Sequence, residues 1–288
     1  MKLSVRDLSF GYNGQLLFNN LNADLNGGSD GRPLILLGPS GCGKTTLLKL
    51  LGGLLKPGGG DIHITGDETP ECPFDNKDEY TVKPPKTSFI FQESRLLPWL
   101  TVLENIALPL EKIFGKAEAR ERGRYFLSQV FLEEKETAYP KELSGGQAQR
   151  VSMARAFAWP APALFMDEPF QSLDIPLRIS LMDLTLSLLQ REKFANKNNP
   201  DKDNSSNDNS TNSNSPNDNS KNYRLLIAVT HDPREAVYMA GRIIILGNPG
   251  EGIVFDKIVD LKPEDRAYGS VVAAELESEL IQKIGNWQ

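Results

Sequence analysis

Residues 34–46 read LILLGPSGCGKTT. Four apolar residues, a glycine-rich turn and a run of helix formers follow one another without a break. The spacing fits G-x-x-x-x-G-K-[ST], with Gly38, Gly43, Lys44 and Thr45 in the defined places. It predicts a buried strand, a loop, and a helix opening near Lys44. Each residue type has a chemical reason. Glycines let backbone N–H groups curl around phosphate oxygens without side-chain obstruction. The helix N-terminus adds free donors and the positive end of a dipole. Lys44 can reach the outer phosphates as a compact charge, and the Thr45 hydroxyl can ligate Mg²⁺. The expected cradle comprises Gly38, Pro39, Ser40, Gly41, Cys42, Gly43, Lys44, Thr45 and Thr46. Cys42 reads as a small space-filling side chain, not a nucleophile.

Working outward, apolar runs of strand length recur at 88–91 (SFIF), 163–166 (ALFM), 225–229 (LLIAV) and 243–246 (IIIL). Continuous rather than alternating apolar strands predict a sheet buried on both faces, as in a wound α/β domain with parallel strands. Residues 174–190 predict a helix, with Asp174 as N-cap, Pro176 in the first turn, and an apolar stripe of Leu177, Leu181, Leu184 and Leu188. Residues 93–142 have few strand signals and many helix formers, which predicts a helical insertion into the α/β core.

The remaining chain is ordinary in bulk. It has 288 residues, 39% hydrophobic and 24% charged, with net charge −6. That balance argues against a general nucleic-acid binder. Two cysteines, Cys42 and Cys72, make no disulfide framework, so a reducing setting is expected. The start is too polar for a signal peptide, and no apolar run approaches the roughly 18 residues of a membrane helix. Any link to a membrane must then go through a partner. Residues 196–222 contain 11 Asn and 6 Ser and nothing apolar, which predicts a disordered surface insert without a function of its own.

Further polar residues fall at strand ends. ALFMDEP places Asp167 and Glu168 at the C-terminal end of a buried strand, where open α/β sheets bind ligands. Asp167 suits Mg²⁺, and Glu168 suits the role of general base toward an attacking water. His231 follows LLIAVT and can reach a γ-phosphate; the alternative is a surface or capping histidine. Gln92 follows SFIF and can reach both Mg²⁺ and the water. Tyr12 can stack on a base or belong to the core. His63, alternating with Ile62 and Ile64, reads as a solvent-facing strand residue. LSGGQAQR, at 143–150, is a second glycine turn opening a helix near Gln147.

Together these pieces resemble the nucleotide-binding subunit of ABC transporters, over nearly the whole chain outside 196–222. The A-loop aromatic falls on Tyr12, Walker A on Gly38–Thr46, the Q-loop on Gln92, and the signature on 143–147. Walker B ends in Asp167 with the base at Glu168, the D-loop is SLD at 172–174, and the switch histidine is His231. The resemblance implies one ABC ATPase domain, a P-loop NTPase with a RecA-like α/β core and an antiparallel β-subdomain. It adds an α-helical subdomain, about residues 93–160, and C-terminal strands and a helix at about 241–288. It implies ATP and Mg²⁺ as ligands, and ATP hydrolysis coupled to transport at the cytoplasmic face of a membrane. Ser144, Gly145, Gly146, Gln147 and Asp174 would then complete the ATP site of a second such subunit, most simply an identical one. Integral membrane permease subunits and, indirectly, a solute-binding protein are further implied partners.

FQESRLLPWLTVLENIALPL, at 91–110, is similar to importers for nitrate, sulfonate, taurine and thiamine precursors. Trp99 in this stretch is either a contact for a membrane subunit or a core side chain. Gln171 departs from the small residue usual before the D-loop, and 67–86 is longer and more charged than the usual loop. The rival readings are an exporter subunit and a soluble ABC ATPase that moves nothing. A coiled coil of the DNA-repair type has no room between Walker A and Walker B.

Overall fold

The computed structural model describes residues 2–28, 30–65, 87–190 and 224–285. Cys72, the charged stretch 67–86 and the Asn/Ser-rich insert 196–222 lie outside the described residues. The chain begins with β1 (Lys2–Tyr12) and β2 (Gln15–Asp24), which form a hairpin. β3 (Leu34–Leu37) leads through the glycine loop into α1 (Lys44–Leu51). β4 (Gly59–Thr65) pairs with β1, giving an antiparallel sheet in the order β2-β1-β4. His63 is exposed on β4, as its alternation implied.

The second sheet has six strands. β5 (Thr87–Ile90), β6 (Ala163–Asp167), β7 (Leu225–Val229) and β8 (Arg242–Leu246) join β3, and β9 (Ile253–Ile258) closes one edge. The order is β5-β6-β7-β3-β8-β9, parallel except for the β8–β9 pair. The five apolar runs are thus strands of one sheet, with ends shifted by a residue at most. Alternate residues on these strands enter two cores. Ile35 and Leu37 join one cluster with Leu164, Met166, Leu226 and Ala228; Leu34 and Leu36 join another with Phe165, Ile227 and Val229. Both faces are buried, so a continuous apolar run has a use at every position.

Between β5 and β6 the chain is helical: α2 (Val102–Ala107), α3 (Glu111–Phe114), α4 (Lys116–Gln129) and α5 (Gly145–Ala158). The helix-rich run from Glu111 is broken at Gly115, where φ is +79°, a conformation glycine adopts without Cβ strain. α6 (Ile175–Gln190), α7 (Pro233–Met239) and α8 (Val271–Gly285) complete the fold. Asp174 stands before α6, and its carbonyl accepts from the Arg178 N–H at 2.9 Å. The fully buried face of α6 is Leu181, Met182, Thr185 and Leu189, while Leu177, Leu184 and Leu188 are half-buried. The stripe sits about one residue further round the helix than the leucine spacing suggested. The helix is apolar on nearly all sides, so leucine spacing alone does not select the inner face.

Candidate functional site

Parallel pairing of β3, β7, β6 and β5 aligns their C-terminal ends along one edge. Gly38, His231, Asp167 and Gln92 all follow or end those strands, so one edge collects groups separated by up to 193 positions. The loop after β3 is closed by glycines at positive φ. Gly43 has φ +102°, and a Cβ there would lie 2.8 Å from the Phe18 ring of β2. At Gly38 it would lie 2.6 Å from the Leu246 carbonyl oxygen. The cradle is therefore pressed between β2 and β8, and only glycine fits at both points.

Lys44 is 8% exposed, and its Nζ donates to the Gly38 and Pro39 carbonyls at 2.8 Å each. The ammonium is thus held inside the loop, bonded only to weak neutral acceptors that phosphate oxygens can replace. Cys42 is buried, with Sγ 3.9 Å from Lys44 Nζ. Burial pushes its thiol up despite the opposing pull of Lys44, so it stays protonated and space-filling.

Thr45 Oγ1 donates to Asp167 Oδ1 at 2.9 Å. Burial raises the Asp167 carboxyl above the ordinary aspartate range, opposed by the Thr45 hydroxyl. A cation beside it would hold it ionised. The pair offers hard oxygen donors only, as Mg²⁺ requires. Among the described residues no group of three or more His, Cys, Asp or Glu makes a metal cluster. Mg²⁺ needs none here, because it keeps waters and substrate phosphates as ligands.

Glu168 follows β6 with φ +47°, left-handed and unusual for a non-glycine residue. Its N–H still donates to Val229 O at 3.0 Å, continuing the β6–β7 ladder. The backbone is thereby kept in the sheet while the side chain turns out of it, the kind of local strain that gathers at functional sites. Its Oε2 lies 3.2 Å from His231 Nδ1. The capping alternative for His231 is excluded, because α7 is capped by Asp232, whose Oδ1 accepts from the Arg234 N–H at 2.9 Å. Gln92 is exposed, with Nε2 3.4 Å from Gln171 Oε1.

Two contacts, Thr45 to Asp167 and Glu168 to His231, therefore gather Lys44, Thr45, Asp167, Glu168 and His231 along one edge. Tyr12 stands apart at the end of β1, half-exposed and edge-on to Phe10 at 5.0 Å. That position excludes the core alternative. The signature turn also stands apart. α5 opens at Gly145, two residues earlier than the expected start near Gln147, because Ser144 is the cap. Ser144 Oγ accepts from the Gln147 N–H at 3.2 Å, and Gln147 Oε1 accepts from the Ser144 N–H at 2.9 Å. This reciprocal capping box fixes the helix start before the glycines end. A Cβ on Gly145 would meet no atom of its own chain within 4 Å, while Gly146 packs beside Leu173 and the Ser172 carbonyl. Trp99 is 69% exposed, which excludes its core reading.

A supporting network escaped the sequence reading. Arg178 of α6 pairs with Asp232 at 3.3 Å and Glu235 at 3.2 Å, and donates to Leu173 O at 3.2 Å. Thr230 Oγ1 donates to Glu235 Oε2 at 2.6 Å and accepts from the Asp232 N–H. The segment holding His231 is thus tied to the turn before Asp174. No local spacing signals it, because the partners of Arg178 lie 54 and 57 positions along the chain. The pairs are mostly buried, so Arg178→Ala should cost about 3–5 kcal/mol by leaving the buried Glu235 carboxylate without its cation, with only the Thr230 hydroxyl as partner. Urea denaturation measures this, and a loss below about 1 kcal/mol would mean the network is not holding the segment.

The fold and this cluster define a P-loop nucleoside triphosphatase. A family model described as ABC transporter matches residues 18–171. The aliphatic sulfonates import ATP-binding protein SsuB 1 of Xanthomonas axonopodis pv. citri (strain 306) is 34% identical, over 87% of this chain and 84% of that protein. SsuB of Escherichia coli (strain K12) is also 34% identical, over 88% and 80%. A solved dimeric structure of the ATP-binding cassette MJ0796 in a post-hydrolysis state, bound to ADP and Pi, is 26% identical with TM-score 0.65. It covers 90% of this chain and 100% of that one. The chain belongs to the ABC transporter family and is an ATP-binding, ATP-hydrolysing member of it. Among the described residues, no helix is long and apolar enough to cross a membrane.

Proposed function

We propose that this chain energises an importer for a small solute of the nitrate, sulfonate and taurine class, working as a pair with a second copy at the cytoplasmic face of a membrane. The sulfonate importers among its relatives favour that substrate class. The observation that carries the pairing is the turn at Ser144–Gly146. Gly145 has open space where a Cβ would stand, so its own chain does not require glycine there. Close approach of something outside the chain would. A γ-phosphate held by a second copy fits, because the turn opens a 14-residue helix with free N–H donors and a favourable dipole. The Ser144 hydroxyl accepts from Gln147, which leaves its own proton to donate.

In this reading ATP lies on the loop Gly38–Thr46, with Tyr12 against the base. Lys44 leaves its two carbonyls for anionic phosphate oxygens. Thr45, Asp167 and Gln92 would hold Mg²⁺, which offsets charge on the phosphates. The partner's turn closes over the γ-phosphate from the other side, with Asp174 at the seam. Closure excludes water except the one that reacts, which Glu168 orients and deprotonates for in-line attack. His231, in contact with Glu168, faces the charge that develops on the phosphoryl group. The helical arm, residues 93–160, carries the motion outward, and exposed Trp99 is available to a membrane subunit.

Ser144→Arg should project a long side chain into the facing phosphate site and lower the ATPase rate by about tenfold or more. An unchanged rate at saturating protein would sink the paired site. Purification in mild detergent separates transport from the soluble alternative, since only the former brings down a multi-span membrane protein.

A further inference from the structure

LSGGQAQR leaves residues beyond the glycines without a task, and α5 puts them to use. Gln149 is 4% exposed, and its Nε2 donates to the Phe91 carbonyl at 3.0 Å. Further along the same helix, Arg155 donates from Nη1 to Arg95 O at 3.1 Å and from Nη2 to Ser94 O at 3.0 Å. Three carbonyls of the turn 91–95 are therefore bonded by side chains of the signature helix. The turn is also braced internally, since the Arg95 guanidinium lies over the Phe91 ring at 4.1 Å. Arg95 itself has φ +46°, a strained conformation for a long side chain that persists only where its surroundings enforce it. Gln92 sits inside this clasped span with its own side chain outside the clasp.

None of these bonds belongs to a helix or to the sheet. Burial lowers the Arg155 guanidinium below its ordinary value, so keeping a cation there to bond two carbonyls is costly. An apolar side chain would serve packing alone. We infer that Gln149 and Arg155 are positioning residues that lock the Gln92 turn to the signature helix, so that residues 91–95 move with α5 and not with β5. The inference rests on the paired-site reading above. Its consequence reaches across the pair. The N-terminus of α5 senses the nucleotide held by the second copy, while the flank of the same helix sets Gln92 at the nucleotide of its own chain. Filling one site would then organise the other through a single helix.

The test is steady-state ATP hydrolysis by the full chain, with kcat and KM measured for Gln149→Met, Arg155→Met and Arg155→Lys, each alone and with Gln92→Ala. Gln149→Met and Arg155→Met should each lower kcat about tenfold, as misplacement of a positioned group does, with KM changed less than about twofold. Arg155→Lys, which keeps a cation able to donate, should recover much of the loss. With Gln92→Ala present, neither Met substitution should lower kcat further. Equal losses in both backgrounds, or an unchanged kcat in the single variants, would overturn the inference. If Gln92→Ala and Ser144→Arg are both without effect, the paired-site reading fails with it. If those two lower kcat and the clasp variants do not, only the clasp fails.

Discussion

Glu168→Gln should leave ATP bound and the reaction stalled. The substitution preserves shape, keeps a hydrogen-bonding partner for His231 Nδ1 at the 3.2 Å contact, and removes only the ability to take a proton. A positioned general base supplies about 10²–10⁴-fold, so kcat should fall by that order while ATP affinity holds. The partner's turn closes on the γ-phosphate in this reading, so losing that phosphate would release the pair, and the stalled variant should accumulate as an ATP-bound dimer. Size-exclusion chromatography with and without ATP reads this directly. A normal kcat would remove Glu168 from the role of base. The left-handed backbone at Glu168 makes a second contrast. Glu168→Gly should relieve the backbone strain and still lose the rate, which separates the carboxylate from the conformation that aims it.

Lys44→Ala acts one step earlier. The Lys44 ammonium is buried in the loop on two carbonyls, so removing it deletes the strongest positive charge in the cradle. A charge-assisted bond to phosphate contributes about 1.5–3 kcal/mol to binding. The same charge facing the developing transition state is worth about 10²–10³-fold in rate. ATP affinity should therefore drop about 10- to 100-fold, and kcat/KM by about 10³-fold or more. Isothermal titration with a slowly hydrolysed ATP analogue measures the first, and phosphate release the second. Lys44→Ala that binds ATP normally would mean the loop holds phosphate by backbone N–H groups alone. The two variants should differ in kind, since Glu168→Gln traps the nucleotide-bound state and Lys44→Ala never reaches it.

The site and the sheet were legible for one shared reason. Gly38, Gly43, Lys44 and Thr45 lie close together in the chain, and local spacing suffices for a strand, a turn and a helix start. Asp167, Glu168 and His231 announced themselves by following apolar runs, because a strand buried on both faces has no polar position until it ends. Where local signals were mixed, the reading drifted. The start of α5 was placed two residues late, since glycines argue against helix while the Ser144–Gln147 capping box argues for it, and the box prevailed. The leucine stripe of α6 does pack against the core, but the most buried positions lie about a residue round from it, because apolar residues surround that helix.

What no spacing could supply is the strand order. β7 lies between β6 and β3, so residues near 165, 229 and 37 become neighbours only when the sheet is assembled. That order brings Thr45 to Asp167 and Glu168 to His231. It also builds the ion pairs of Arg178 with Asp232 and Glu235, which span 54 and 57 positions. Phe18 beneath Gly43, and Gln149 and Arg155 on the Gln92 turn, are likewise contacts between distant segments. The chemistry of this chain is written in short motifs because hydrogen-bonded turns are local. Which motifs touch, and which one is left apart from the rest, depends on how buried apolar faces choose their neighbours in three dimensions.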